Sequence, residues 1–117
     1  MLFRSSKACY GCKALIKVSG GLRLKTIGNI AFGGCAKLST FVITSAVLAK
    51  ISPYTFYADK SLKTIYVNKT TKLSKAGVKK SLKSSSVKTV KVKKSKVKKY
   101  KKIFKKKNCG RKVKVKK

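Results

Sequence analysis

Residues 24–43, LKTIGNIAFGGCAKLSTFVI, and residues 48–67, LAKISPYTFYADKSLKTIYV, carry one pattern, repeated after 24 positions. Ile27, Phe32, Leu38, Phe41 and Ile43 of the first correspond to Ile51, Phe56, Leu62, Ile65 and Val67 of the second. Each copy holds an apolar triplet, L-x-x-(I/V/F)-x-(I/V): Leu38/Phe41/Ile43, Leu62/Ile65/Val67 and then Val87/Val90/Val92. A partial earlier copy has Leu15 and Val18, preceded by Cys9 and Cys12 where the next copy has Phe32 and Cys35. The copies start 23, 24 and 25 residues apart, and aligning Val90 with Val113 in the final KVKV adds another step of 23.

A repeat of this length cannot bury its apolar residues alone; it needs a neighbour on which to stack. Within each triplet the last two apolar residues are separated by one position, so in a strand both face inward while the residue between them faces out. The segments IGNIAF and ISPYTF then cross back, with Phe32 and Phe56 filling the far side of the core. Periods of 20–29 residues around an L-x-x-L-x-L core are characteristic of leucine-rich repeats. The pattern predicts an α/β solenoid, with short parallel strands near 15–18, 38–43, 62–67, 87–92 and 112–116 and short helical or irregular return segments.

TIGNIAFGGCAKLSTFVI resembles the BspA-like leucine-rich-repeat proteins of bacteria, whose repeats read approximately I-G-x-x-A-F-x-x-C-x-x-L-x-x-I-x-I. KISPYTFYADKSLKTIYV follows the same pattern with Ser52 for Gly, Thr55 for Ala and Asp59 for Cys. The resemblance is strong over residues 8–67, and the Lys-rich ending is similar to that of many such proteins. It implies a non-catalytic module, secreted or held at the cell surface, that takes part in adhesion.

Three regions are expected: a disordered or truncated N-terminus at 1–7, leucine-rich repeats at 8–72, and a Lys-rich terminal repeat and cap at 73–117. Within the last, KLSKAGVKKSLK spaces Leu73, Ala76, Val78 and Leu82 for a helix over 73–83, and KVKKYKKIFKKK spaces Val97, Tyr100, Ile103 and Phe104 for one over 96–107. Asn108 and Gly110 should close the second helix. A polar cap would stop open-ended stacking and guard the exposed strand edge. Residues 1–7 offer no equivalent cap, as expected of a fragment of a longer array.

The formal charge is +32, from 33 basic residues and a single acid, Asp59, so the partners should be anions. Eight basic residues and Asp59 lie in 1–59, leaving +7 there, and the other 25 basic residues lie in 60–117. Only Arg4, Arg23 and Arg111 are arginines. Lysines act as solvated point charges and not as planar forks, which weakens any case for reading bases. At 43% hydrophobic residues, the chain still has material for a core. MLFRSSKACYGCKALIKV lacks the apolar run of roughly 7–15 residues that a signal peptide needs, and the most apolar window, FVITSAVLA, is about half a membrane span, so no membrane insertion is expected.

With no histidine and one acid in total, neither a carboxylate pair nor a nucleophile with a histidine base can be assembled, which argues against an enzyme. No cofactor motif is present: SGGLRLK lacks the G-K-S/T ending of a phosphate loop, and its glycines read as turn residues. Cys9-x-x-Cys12 lacks the paired motif of a zinc site. Cys12 and Cys35 share a repeat slot and read best as small buried hydrophobes. Stacked rungs lie about 4.8 Å apart, so a bridge between these two in an oxidising setting remains open, with Cys109 left free. NKT at Asn68 matches a glycosylation sequon and reads as chance in a bacterial-looking sequence.

Binding must then carry the function. The outward strand residues form a ladder on the concave face: Thr40 and Val42, Thr64 and Tyr66, Thr89 and Lys91, then Lys114. Taken singly they are ordinary solvated positions; together they form the surface on which solenoids usually bind. Tyr66 with Lys63 and Lys91 offers an aromatic platform among cations. The candidate site is therefore Lys63, Thr64, Tyr66, Thr89, Lys91 and Lys114, and its partner an anionic or glycan polymer, or a host or bacterial surface protein. Charge alone supports an alternative, non-specific binding of nucleic acid.

Overall fold

In Thr40–Ile43, Thr64–Val67 and Thr89–Val92 the same alternation holds, a half-buried residue followed by a buried one, twice over. The computed structural model describes residues 9–20, 23–69 and 71–117. Its strands are β1 (Lys17–Val18), β2 (Thr26–Ile27), β3 (Thr40–Ile43), β4 (Lys50–Ile51), β5 (Thr64–Val67), β6 (Thr89–Val92) and β7 (Lys114–Lys116). Two short helices, α1 (Val97–Ile103) and α2 (Lys106–Cys109), precede β7.

β1, β3, β5, β6 and β7 form one sheet in that order, and every pairing in it is parallel. β2 and β4 pair in parallel as a second small sheet. The expected parallel solenoid is therefore the observed fold. Its core is a single cluster that runs from Cys9 to Val115. Phe32 and Phe56, both fully buried, stack with centroids 6.3 Å apart and an interplanar angle of 15°. Phe41 meets both edge-on, at 5.1 and 4.8 Å.

The strands are shorter than the repeat pattern predicts. Leu38 and Leu62, the first residues of their triplets, are fully buried but lie in tight turns, where Leu38 N–H donates to Cys35 O at 3.1 Å and Leu62 N–H to Asp59 O at 3.2 Å. The leucine thus packs into the core from the corner, and the strand begins two residues later.

The final register also differs. Val90 pairs with Val115 and not with Val113, so this step is 25 residues and not 23. A slip of two residues leaves every side chain on its own face, and alternation alone is blind to it. Val115 is buried, whereas Val113 is half-buried.

The return segments use their backbone groups between rungs. Phe32 N–H donates to Thr55 O at 3.0 Å, Tyr54 N–H to Lys80 O at 3.0 Å, and Leu82 N–H to Cys109 O at 2.9 Å. For this reason 73–83 is not the expected helix. It is a run of turns, with Lys80 and Ser84 at φ 54° and 60°, conformations no right-handed helix contains. The expected helix over 96–107 is split at Phe104, with φ −89° and ψ 45°, into α1 and α2. Gly110, at φ 86°, closes α2, and Asn108 Nδ2 donates to Ile103 O, near the end of α1, at 3.0 Å.

Each return has a left-handed position at Gly11, Gly34, Ala58, Ser84 or Gly110, with φ between 59° and 86°, and three of them have a second one four residues earlier, at Ile30, Tyr54 and Lys80. The chain must reverse here within a few residues, so even the alanine and the serine adopt it.

Candidate functional site: the outer face of the parallel sheet

Parallel pairing at constant register turns the alternating outward residues into two rows. Lys17, Thr40, Thr64, Thr89 and Lys114 make the first. Val42, Tyr66, Lys91 and Lys116 make the second. Thr40 and Thr64 sit at the same place in adjacent strands, by the register of Phe41 with Ile65. β-branched threonine suits an exposed strand position, because its one favoured rotamer packs against the residue across the ladder.

Tyr66 and Lys91 are direct partners, and Lys91 Nζ stands 5.8 Å from the Tyr66 ring centroid, within range of a cation–π attraction. Around them lies an open depression of about 430 Å³ whose walls include Asn68, Lys93 and Lys117. Lys93, Lys116 and Lys117 were not among the residues expected from the sequence. Lys116 was recoverable, because carrying the previous step of 25 forward one rung places it beside Lys91.

Of the expected residues, Thr64, Tyr66, Thr89, Lys91 and Lys114 lie together in the two rows. Lys63 stands apart. It is exposed just ahead of β5, with the parity of inward-facing Ile65 and Val67, and its carbonyl accepts the N–H groups of Lys88 and Thr89 at 2.8 and 3.1 Å.

The sole acid is absent from this face. Asp59 is completely buried, and burial pushes its carboxyl up to about 7 even though its oxygen accepts the Cys35 N–H. Every ionised side chain on the surface is consequently a cation. None of the four cysteines is in a disulfide, so the Cys12–Cys35 bridge is not formed. Cys35 Sγ donates instead to Cys9 O at 3.2 Å. Burial, then the charge of Asp59, pushes the Cys35 thiol up to about 12, and burial likewise raises Cys9 and Cys109. Thiols held protonated in this way are neither nucleophiles nor ready metal ligands. Among the described residues, no group of three or more side chains is placed to hold a metal ion, and no helix is long and apolar enough to cross a membrane.

The model of the BspA type leucine-rich repeat region matches residues 5–110, as six copies. The chain belongs to this family. BspA-type repeats are generally non-catalytic and serve in protein interaction. Neither the curated proteins nor the solved structures gave a match to this BspA-type chain.

Proposed function

We propose that the chain is a non-catalytic cell-surface adhesion module that holds anionic or glycan polymers on the outer face of its parallel sheet. The observation that carries this reading is the gathering of Lys91, Lys93 and Lys117 around Tyr66, with Lys116 next along the row from Lys91, in a chain whose one acid is buried. Lysines give attraction without a fixed geometry, so polymers of one charge density should bind alike. The tyrosine adds a flat apolar surface for a sugar ring or a base. Release of condensed counterions drives such binding, and for DNA the logarithm of affinity falls with the logarithm of salt by about 0.9 per phosphate neutralised.

The test compares a sulfated glycan with DNA duplexes of different sequence across a salt series, using the intact chain and the variant Lys91→Gln/Lys116→Gln. The intact chain is expected to bind all of them, with weak discrimination and a steep salt dependence. The variant should lower the salt slope for DNA by up to about 2, one unit per lost contact. A strong preference for one duplex, surviving at high salt, would make the protein a nucleic-acid reader and overturn the surface assignment. Non-specific nucleic-acid binding is the second reading, favoured by the charge of +32 alone.

A further inference from the structure

Among the described residues, β7 lies at the edge of its sheet and pairs only with β6. Lys114 N–H donates back to Lys88 O at 2.9 Å. Successive residues of a strand aim their N–H and C=O groups to opposite sides, so Val113 and Val115 present theirs away from the sheet. That is the free edge on which another strand can pair.

Beside this edge, the break between α1 and α2 opens a depression of about 610 Å³. Phe104, Val113 and Val115 supply its apolar surface. Lys101, Lys105, Lys106 and Lys112 stand round it, with no carboxylate among the lining residues. A space of this size accepts one or two large side chains.

We propose that this edge docks an extended acidic segment of a partner protein, which adds as a further strand on β7 and lays an apolar side chain beside Phe104. Three observations choose this occupant. The outward N–H and C=O groups of Val113 and Val115 match the backbone of a strand, and strand addition uses such main-chain bonds for affinity and a side-chain recess for specificity. The apolar recess excludes a purely charged ligand as the best fit. The lysine rim sets the sign. A second copy of the chain is a poor candidate, since two molecules of charge +32 repel each other. This docking is independent of the outer-face reading, because it uses the edge of the sheet and not its face.

The test uses the intact chain at physiological salt and a short labelled peptide alternating Glu with Leu. Polyglutamate of equal charge and a copy of the peptide with alternate amides N-methylated serve as comparisons, and binding is read by fluorescence anisotropy. The alternating peptide is expected to bind more tightly than either comparison. It should also slow amide exchange at Val113 and Val115 in the unaltered chain. Val113→Pro removes one outward donor at an edge position that tolerates proline, and should weaken the peptide by up to roughly tenfold. Circular dichroism confirms the fold of the variant, and the exchange measurement stands without it. Equal binding of polyglutamate or of the methylated copy would overturn the proposal in favour of charge alone. Displacement of the peptide by anionic lipid vesicles, with exchange at Val113 and Val115 unchanged, would overturn it in favour of a lipid site.

Discussion

Asp59 Oδ1 accepts the backbone N–H of Cys35 at 2.8 Å, across the gap between two rungs that hold these residues in the same repeat slot. Its other oxygen, Oδ2, is buried without a protein partner. Desolvation therefore outweighs the one bond received, and the carboxyl rises from 3.8 to about 7. Below the lower value both the folded and unfolded chains hold the proton. Between the two values the folded chain holds it and the unfolded chain releases it, so stability falls as pH climbs through this window. The slope is at most about 1.4 kcal/mol per pH unit. Asp59→Asn keeps an oxygen for Cys35 and removes the titration. Melting curves from pH 4 to 8 should decline for the parent and stay flat for the variant; parallel curves would refute the account.

Phe41 stands edge-on to two stacked rings contributed by successive returns. Phe41→Ala should cost about 3–5 kcal/mol, a large part of what holds a domain of this size. Phe41→Leu retains most of the volume and should cost clearly less. Urea titration separates them by their midpoints, and equal midpoints would show that the ring geometry contributes little.

Tyr100 ties α1 to the preceding rung through its hydroxyl, which accepts the Thr71 N–H at 3.0 Å and lies 2.9 Å from Thr71 Oγ1. All of these atoms belong to buried residues. Tyr100→Phe leaves the Thr71 groups with one partner fewer and should cost about 1–3 kcal/mol. Combining it with Thr71→Val should cost less than the sum of the two changes, because the bond between the two hydroxyls can be lost only once. Strict additivity would deny the coupling.

The left-handed column offers a pair of opposed substitutions. At Gly34 an added Cβ meets nothing closer than 3.7 Å, so Gly34→Ala should cost about 1–2 kcal/mol by backbone conformation alone. Ala58 already bears that strain at φ 59°, and Ala58→Gly should recover part of it, up to about 1 kcal/mol after the entropy of glycine. Shifts of the same sign in thermal unfolding would refute the argument.

The legible parts of this fold were those carried by alternation. Phe41, Ile43, Ile65, Val67, Val90 and Val92 had to face one way, and Tyr66 and Lys91 the other, whatever the exact strand ends. Phe32 and Phe56 followed from the constant distance to the triplet. The illegible parts depend on partners far along the chain. Leu73, Ala76, Val78 and Leu82 recur at helical spacing, but Lys80 and Leu82 give their N–H groups to Asn108 and Cys109 on the next rung, a choice local periodicity cannot reveal. The slip at Val115 preserved the facing pattern and so hid Lys116. Asp59 stood out as a departure from cysteine, while its weakened acidity required knowing that burial left one oxygen without a partner.

The bonds that join rung to rung, such as Phe32 to Thr55 and Leu82 to Cys109, all lie along the axis of the stack, and each rung is held only by its neighbours. Tension applied between the two ends would open them in turn and not all at once. Each rung released frees about 25 residues, lengthening the chain by roughly 85 Å before the next one yields. A stack built this way absorbs a tug by giving up length in steps, while the rungs not yet opened keep their fold.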